Sequence, residues 1–93
     1  MVTAIVMIKT AKAGIPETAQ RIADIEGVSS VYSVTGSWDL VAMVQLRRYE
    51  DLDSVIADQL SKVDGIQDTE TMLAFRAYSP QDLDEGWALG FED

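Results

Sequence analysis

Val31–Leu46 reads VYSVTGSWDLVAMVQL, two runs of β-branched, aromatic and aliphatic residues that meet at the polar corner Gly36-Ser37-Trp38-Asp39. Val31, Tyr32, Val34 and Thr35 enter the corner, and Leu40, Val41, Met43, Val44 and Leu46 leave it. These residue types suit a pleated, half-buried surface, so the stretch predicts a β-hairpin. Gly36 can adopt the positive φ of a sharp reversal, and the side chains of Ser37 and Asp39 can bond nearby backbone groups. Asp39 therefore stands where a rigid turn becomes a strand, a place that suits a binding group. Capping the turn's own amides is the commoner task of such an acid.

Upstream, Val2–Ile8 (VTAIVMI) is a short continuous apolar run and predicts a buried strand. Pro16 and Glu17 then suit the first turn of a helix, with Ile15, Ala19, Ile22, Ala23 and Ile25 on its apolar side and Gly27 closing it. Downstream of Leu46, Asp51 is placed to accept from the amides that open a second helix. Leu52, Val55, Ile56, Leu60 and Val63 form its stripe, and Gly65 ends it. Ile66 opens a fourth strand running to Ala77, in which Thr69, Thr71, Leu73 and Phe75 alternate with Asp68, Glu70, Met72, Ala74 and Arg76. Its polar front half suits an edge or a cleft.

The order is strand, helix, strand, strand, helix, strand. Ile25-Glu26-Gly27-Val28 and Val63-Asp64-Gly65-Ile66 occupy the same place in each half. The pattern predicts an α+β fold of split βαβ type, the ferredoxin-like βαββαβ sandwich, with a four-stranded antiparallel sheet and both helices on one face. The other face is left partly apolar and invites a second subunit.

Ninety-three residues make one domain with a single core. The 16 acids against 7 bases leave a net charge of -9, which disfavours nucleic acid and anionic membranes as direct partners. Cysteine and histidine are absent, removing disulfides, thiol chemistry, the usual transition-metal ligands and the commonest general base near neutral pH. Neither a metal nor a cofactor is expected, and a non-enzymatic role is favoured. The first residues lack the charged start of a secretory signal, and no apolar run approaches the roughly 20 residues of a membrane span, so the cytoplasm is the expected location. Residues 79–93 form an acidic tail in which Trp87, Leu89 and Phe91 are spaced by two. Large apolar groups without a core of their own favour docking, either on the domain of residues 1–78 or on a neighbouring subunit.

The string Val31-Tyr32-Ser33-Val34-Thr35-Gly36-Ser37-Trp38-Asp39-Leu40, followed by Val63-Asp64-Gly65-Ile66 and Thr69-Glu70-Thr71, resembles the effector-binding (RAM) domain of the Lrp/AsnC family of amino-acid-responsive transcription regulators. The resemblance covers about Val2 to Tyr78. It implies a sandwich that pairs through its sheets and assembles into rings of dimers, commonly octamers, with a small effector, usually an amino acid, held between dimers. The expected ligand-binding residues are Gly36, Trp38, Asp39, Leu40, Thr69 and Thr71. Gly36 and the adjoining backbone would meet the ligand carboxylate, Asp39 the ammonium, and the threonines its flank, while Trp38 turned inward would narrow the pocket. With the first strand expected at Val2, the family's amino-terminal helix-turn-helix domain is expected to be missing. The resemblance thus implies a stand-alone sensor or assembly module, acting by itself, with a full-length relative in mixed oligomers, or attached to another protein. Two competing readings share the strand order. One is a cofactor-free monooxygenase-type enzyme using Tyr32, Trp38 and Asp39; the other is an ACT-type amino-acid-binding domain.

Overall fold

A computed structural model describes residues 1–80 of the chain. Its elements are β1 (Val2–Thr10), α1 (Ile15–Ala23), β2 (Val28–Ser33), β3 (Leu40–Leu46), a composite second helix α2 (turns Tyr49–Asp51, Ser54–Gln59 and Leu60–Lys62), and β4 (Ile66–Ala74). The sheet order is β2-β3-β1-β4, and every neighbouring pair is antiparallel. This is the ferredoxin-like architecture expected from the alternation of apolar runs.

Period-two alternation decides which side chains meet the helices. Ala4, Val6 and Ile8 of β1 and Leu40, Ala42 and Val44 of β3 are fully buried beneath them, with Ile22 of α1 and Val55 and Leu60 of α2 completing the core. On the opposite face, the register aligns Met72, Ile5, Met43 and Ser30 in one cross-strand row, and Glu70, Met7, Val41 and Tyr32 in the next. Ile5, Met7, Val41 and Met43 are only half-buried there, so the run Val2–Ile8 is a strand covered on one side rather than two.

The echo between the two halves has a structural counterpart. Val28 N–H donates to Ile25 O at 3.0 Å, and Ile66 N–H to Val63 O at 3.4 Å. Each four-residue turn carries glycine at its third position with positive φ, +103° at Gly27 and +97° at Gly65, the backbone of a type II turn. The carbonyls then do matching work: Gly27 O accepts from Gln45 N–H and Gly65 O from Ala11 N–H, both at 2.8 Å. Each turn is thereby fastened to the strand or strand end beside it.

Four local expectations differ from the structure. β2 stops at Ser33, and residues 34–39 form a wider loop closed by Val34 N–H donating to Asp39 O at 3.0 Å, because Leu40 already pairs with Ser33. β4 stops at Ala74, where its pairing with Thr3 ends, and leaves Phe75 almost fully exposed. In α1 the buried positions are Thr18 and Ile22, whereas Ala23 is exposed, because Thr18 packs against the Gly65 turn. The second helix begins before Asp51 and is not capped by it. It runs as a 3₁₀ turn (Tyr49–Asp51), a π-helical turn (Ser54–Gln59) and a second 3₁₀ turn (Leu60–Lys62), while Asp51 lies 3.7 Å from Arg48.

The π-helical turn has a packing cause. Residues five apart stand about 140° from each other on an ideal α-helix, so Val55 and Leu60 could not both face the sheet. An i→i+5 turn returns them to one side, and Leu60 N–H duly donates to Val55 O as well as Ile56 O. Among the described residues, no helix is long and apolar enough to cross a membrane. The acidic tail lies, from residue 81 onward, outside the described residues.

Gly65 offers a test of the turn. A Cβ there would lie 2.6 Å from Thr18 Oγ1, on a backbone that L side chains rarely adopt. Gly65→Ala is expected to cost about 2 kcal/mol in urea unfolding, from left-handed strain plus overpacking. Adding Thr18→Ala should recover part of that loss, giving a non-additive double-mutant cycle.

Candidate functional site

The corner after β2 leans over the end of β1. Asp39 N–H donates to Ile8 O at 2.9 Å, and Thr10 N–H donates to Asp39 Oδ2 at 2.9 Å. Lys9 Nζ donates to Ser37 O at 2.7 Å from the exposed side. The loop is thus stapled to β1 by two backbone-directed bonds and one cation. The Asp39 carboxylate accepts the amide of another strand, not one of its own turn. One bond leaves most of a carboxylate's acceptor capacity for further donors.

The expected residues are distributed unevenly around that point. Gly36 has φ +109° and is exposed, with open space where a Cβ would stand, so the glycine answers a conformational need of the loop. Trp38 and Asp39 are half-buried. Leu40 is fully buried in the core face and pairs with Ile8, so its side chain supports the corner from beneath. Thr69 also pairs with Ile8, and Thr71 with Val6; Thr69 is half-buried and Thr71 exposed. Leu40, Ile8 and Thr69 therefore form one cross-strand row, with β1 between the other two. Two strand spacings amount to about 9.6 Å between the backbones of β3 and β4, and among the described residues no hydrogen bond joins Asp39 to either threonine. Asp39 and Thr69 flank the end of β1, with Thr71 farther back beside Val6, and one small molecule would have to bridge β1 to meet both sides.

Lys9 and Thr10 are the members of this constellation that local sequence reasoning does not find. Both sit where β1 and β4 change register, opposite the irregularity that leaves Gln67 between the partners of Thr10 and Lys9. Thr10 is 3% exposed, and its Oγ1 is buried without a hydrogen-bond partner among the described residues. Among those residues, no group of three or more acids, histidines or cysteines could hold a metal ion.

The helix-covered antiparallel sheet in the order β2-β3-β1-β4, with an acid-bearing corner folded over its central strand, defines a ferredoxin-like α+β sandwich. Residues 3–83 match the family model of the Lrp/AsnC ligand binding domain, and the chain belongs to that family. Among its relatives, the HTH-type transcriptional regulator PF1734 of Pyrococcus furiosus is 38% identical over 72 residues, covering 77% of this chain and 48% of that protein. The chain spans about half, or less, of the length of the regulators it matches. TTHA0845 from Thermus thermophilus is 43% identical in sequence with a TM-score of 0.79, covering 85% of this chain and 99% of that one. The transcriptional regulator NMB0573 of Neisseria meningitidis, solved as an L-Met complex, has a TM-score of 0.75 over 84% of this chain and 52% of that one. At 18% identity it shares the fold alone.

The bond to Thr10 makes Asp39 a stabilising residue whatever it binds. Asp39→Ala is expected to lower stability by about 1.5 kcal/mol, the lower end for a charged hydrogen bond because the group is half-buried. Asp39→Asn keeps an acceptor for the Thr10 amide and should lose less than half as much. Urea midpoints of the two variants provide the check.

Proposed function

We propose that residues 1–78 form a non-enzymatic module that binds a small effector, an amino acid, at the Asp39 corner and assembles through its open sheet face. The observation that carries this reading is the Asp39 carboxylate, held at the edge of β1 by the Thr10 amide with acceptor capacity to spare. A carboxylate fixed in that way is ready for a ligand ammonium, since charge-assisted bonds are stronger than neutral ones. The loop amides near Gly36 would take the ligand carboxylate, and Thr69 and Thr71 its flank from across β1. Family membership and the regulator relatives support a regulatory role rather than a catalytic one. The effector would act by changing how copies of the chain, or this chain and a full-length relative, are arranged. Neither nucleic acid nor membrane would be touched directly by so acidic a surface.

The pairing surface is the row of Ile5, Met43 and Met72 with Met7 and Val41 beside it. A face this apolar on a 93-residue chain favours a second copy laid against it, and dimers can then build rings. The ACT-type alternative would pair sheets side by side and leave the same residues wet.

Isothermal calorimetry against the twenty amino acids tests the effector. At least one is expected to bind, with affinity falling tenfold or more in Asp39→Asn; silence from all twenty would overturn the reading. Light scattering tests the assembly. The chain is expected to run as dimers or multiples of them, and Met43→Glu, which places a charge in the middle of the open face, should yield folded monomers. A wild-type monomer at micromolar concentration would contradict the proposed face.

A further inference from the structure

The far end of the sheet from the Asp39 corner holds a groove of about 460 Å³, within the size range of small-molecule sites. Its floor is Gly27, Leu46 and Val55, packed so closely that a Cβ on Gly27 would lie 2.8 Å from Leu46 Cδ2 and 3.4 Å from Val55 Cγ2. Glu26 and Arg47 stand among its lining residues with opposite charges, yet form no ion pair with each other or with any described residue. Asp51, which also lines the groove, is engaged instead by Arg48, which approaches Glu50 as well.

The π-helical turn shapes the remaining wall. Ser54 and Gln59 are five residues apart and would diverge by about 140° on an α-helix. Both line the groove, because the same i→i+5 turn that sends Val55 and Leu60 to the core aligns this pair beside it. Such turns concentrate at functional sites. The groove therefore combines an apolar floor, a hydroxyl and an amide on one wall, and, beside the Arg48-bound Asp51, one charge of each sign that no described residue pairs.

We propose that this groove is a second ligand site, distinct from the Asp39 corner, for a small zwitterion with an apolar body. Its carboxylate pairs with the Arg47 guanidinium, whose fork suits bidentate contact, and its ammonium pairs with Glu26. Ser54 and Gln59 bond its polar middle, and its apolar part lies on Leu46 and Val55. The site stands independently of the effector reading, because it shares no residue with the corner.

Methyl-labelled protein titrated with leucine and with leucyl-leucine tests the assignment, alongside the N-acetylated and C-amidated forms of each. Shifts are expected at the Leu46 and Val55 methyls with little change at Val34 beside the corner. Removing either charge from the probe, or introducing Arg47→Gln or Glu26→Gln, should weaken that response at least tenfold. Shifts confined to Val34 would place the ligand at the corner and overturn the second site, while leaving the effector reading intact. No response at Leu46 and Val55 to any probe at millimolar concentration, or a response that both variants leave unchanged, would overturn it as well. A change of oligomeric size in Arg47→Gln without any probe effect would assign the groove to contact between copies instead.

Discussion

Two carbonyl oxygens, those of Gly27 and Gly65, hold the fold's two halves to its centre. Each lies within a helix-to-strand turn, which the carbonyl of Ile25 or Val63 closes, and receives an amide from the chain beside it, Gln45 in β3 or Ala11 just past β1. The turns need positive φ, and both are packed too tightly for a side chain, against Leu46 in one case and Thr18 in the other. Once these bonds are made, each helix must return across the same face of the sheet. The burial of Ala4, Val6, Ile8, Leu40, Ala42 and Val44 on one side, and the half-covered opposite side, follow from that geometry.

Much of this is legible in the sequence because it is written at short range. Period-two runs name the strands, the two apolar-acid-glycine-β-branched quartets name the turns, and the alternation of Thr69 and Thr71 with acids announces an exposed edge. The departures share one cause. Thr18 is polar, so pattern alone prefers Ala23, but the neighbour that buries Thr18 is Gly65, distant in sequence. The π-helical turn reads as regular helix because Leu52, Val55 and Ile56 fit that period and only the pair Val55 and Leu60 breaks it. A turn motif points Asp39 at the amides of its own corner, whereas Thr10 is supplied by a strand 29 positions away. Contacts of that kind depend on sheet order, which local pattern does not contain.

On the proposed reading, Asp39 would combine a binding group and a structural group in one residue. Its tie to Thr10 fixes the carboxylate in advance, lowering the ordering cost of any partner it later meets. The same tie means that altering the acid disturbs both the loop and β1. Leu40 extends this coupling downward, since the residue next to the acid is wholly inside the core. The corner is therefore rigid through its neighbours, with Lys9 on its outer side and Ile8 beneath it.

The placement of β4 has a bearing on how the molecule avoids its own kind. Among the described residues no strand pairs with its outer rim, and unpaired main-chain groups there invite the stacking of copies. Asp68 and Glu70 lie along this strand, on the sheet face that carries Met7, and the extra Gln67 interrupts its regularity. Two carboxylates repel an approaching twin over about 8 Å at physiological salt, a reach that shrinks as ions are added. Screening thus sets how strongly that edge is guarded: in dilute electrolyte the two acids act at a distance, and in brine the kink acts alone.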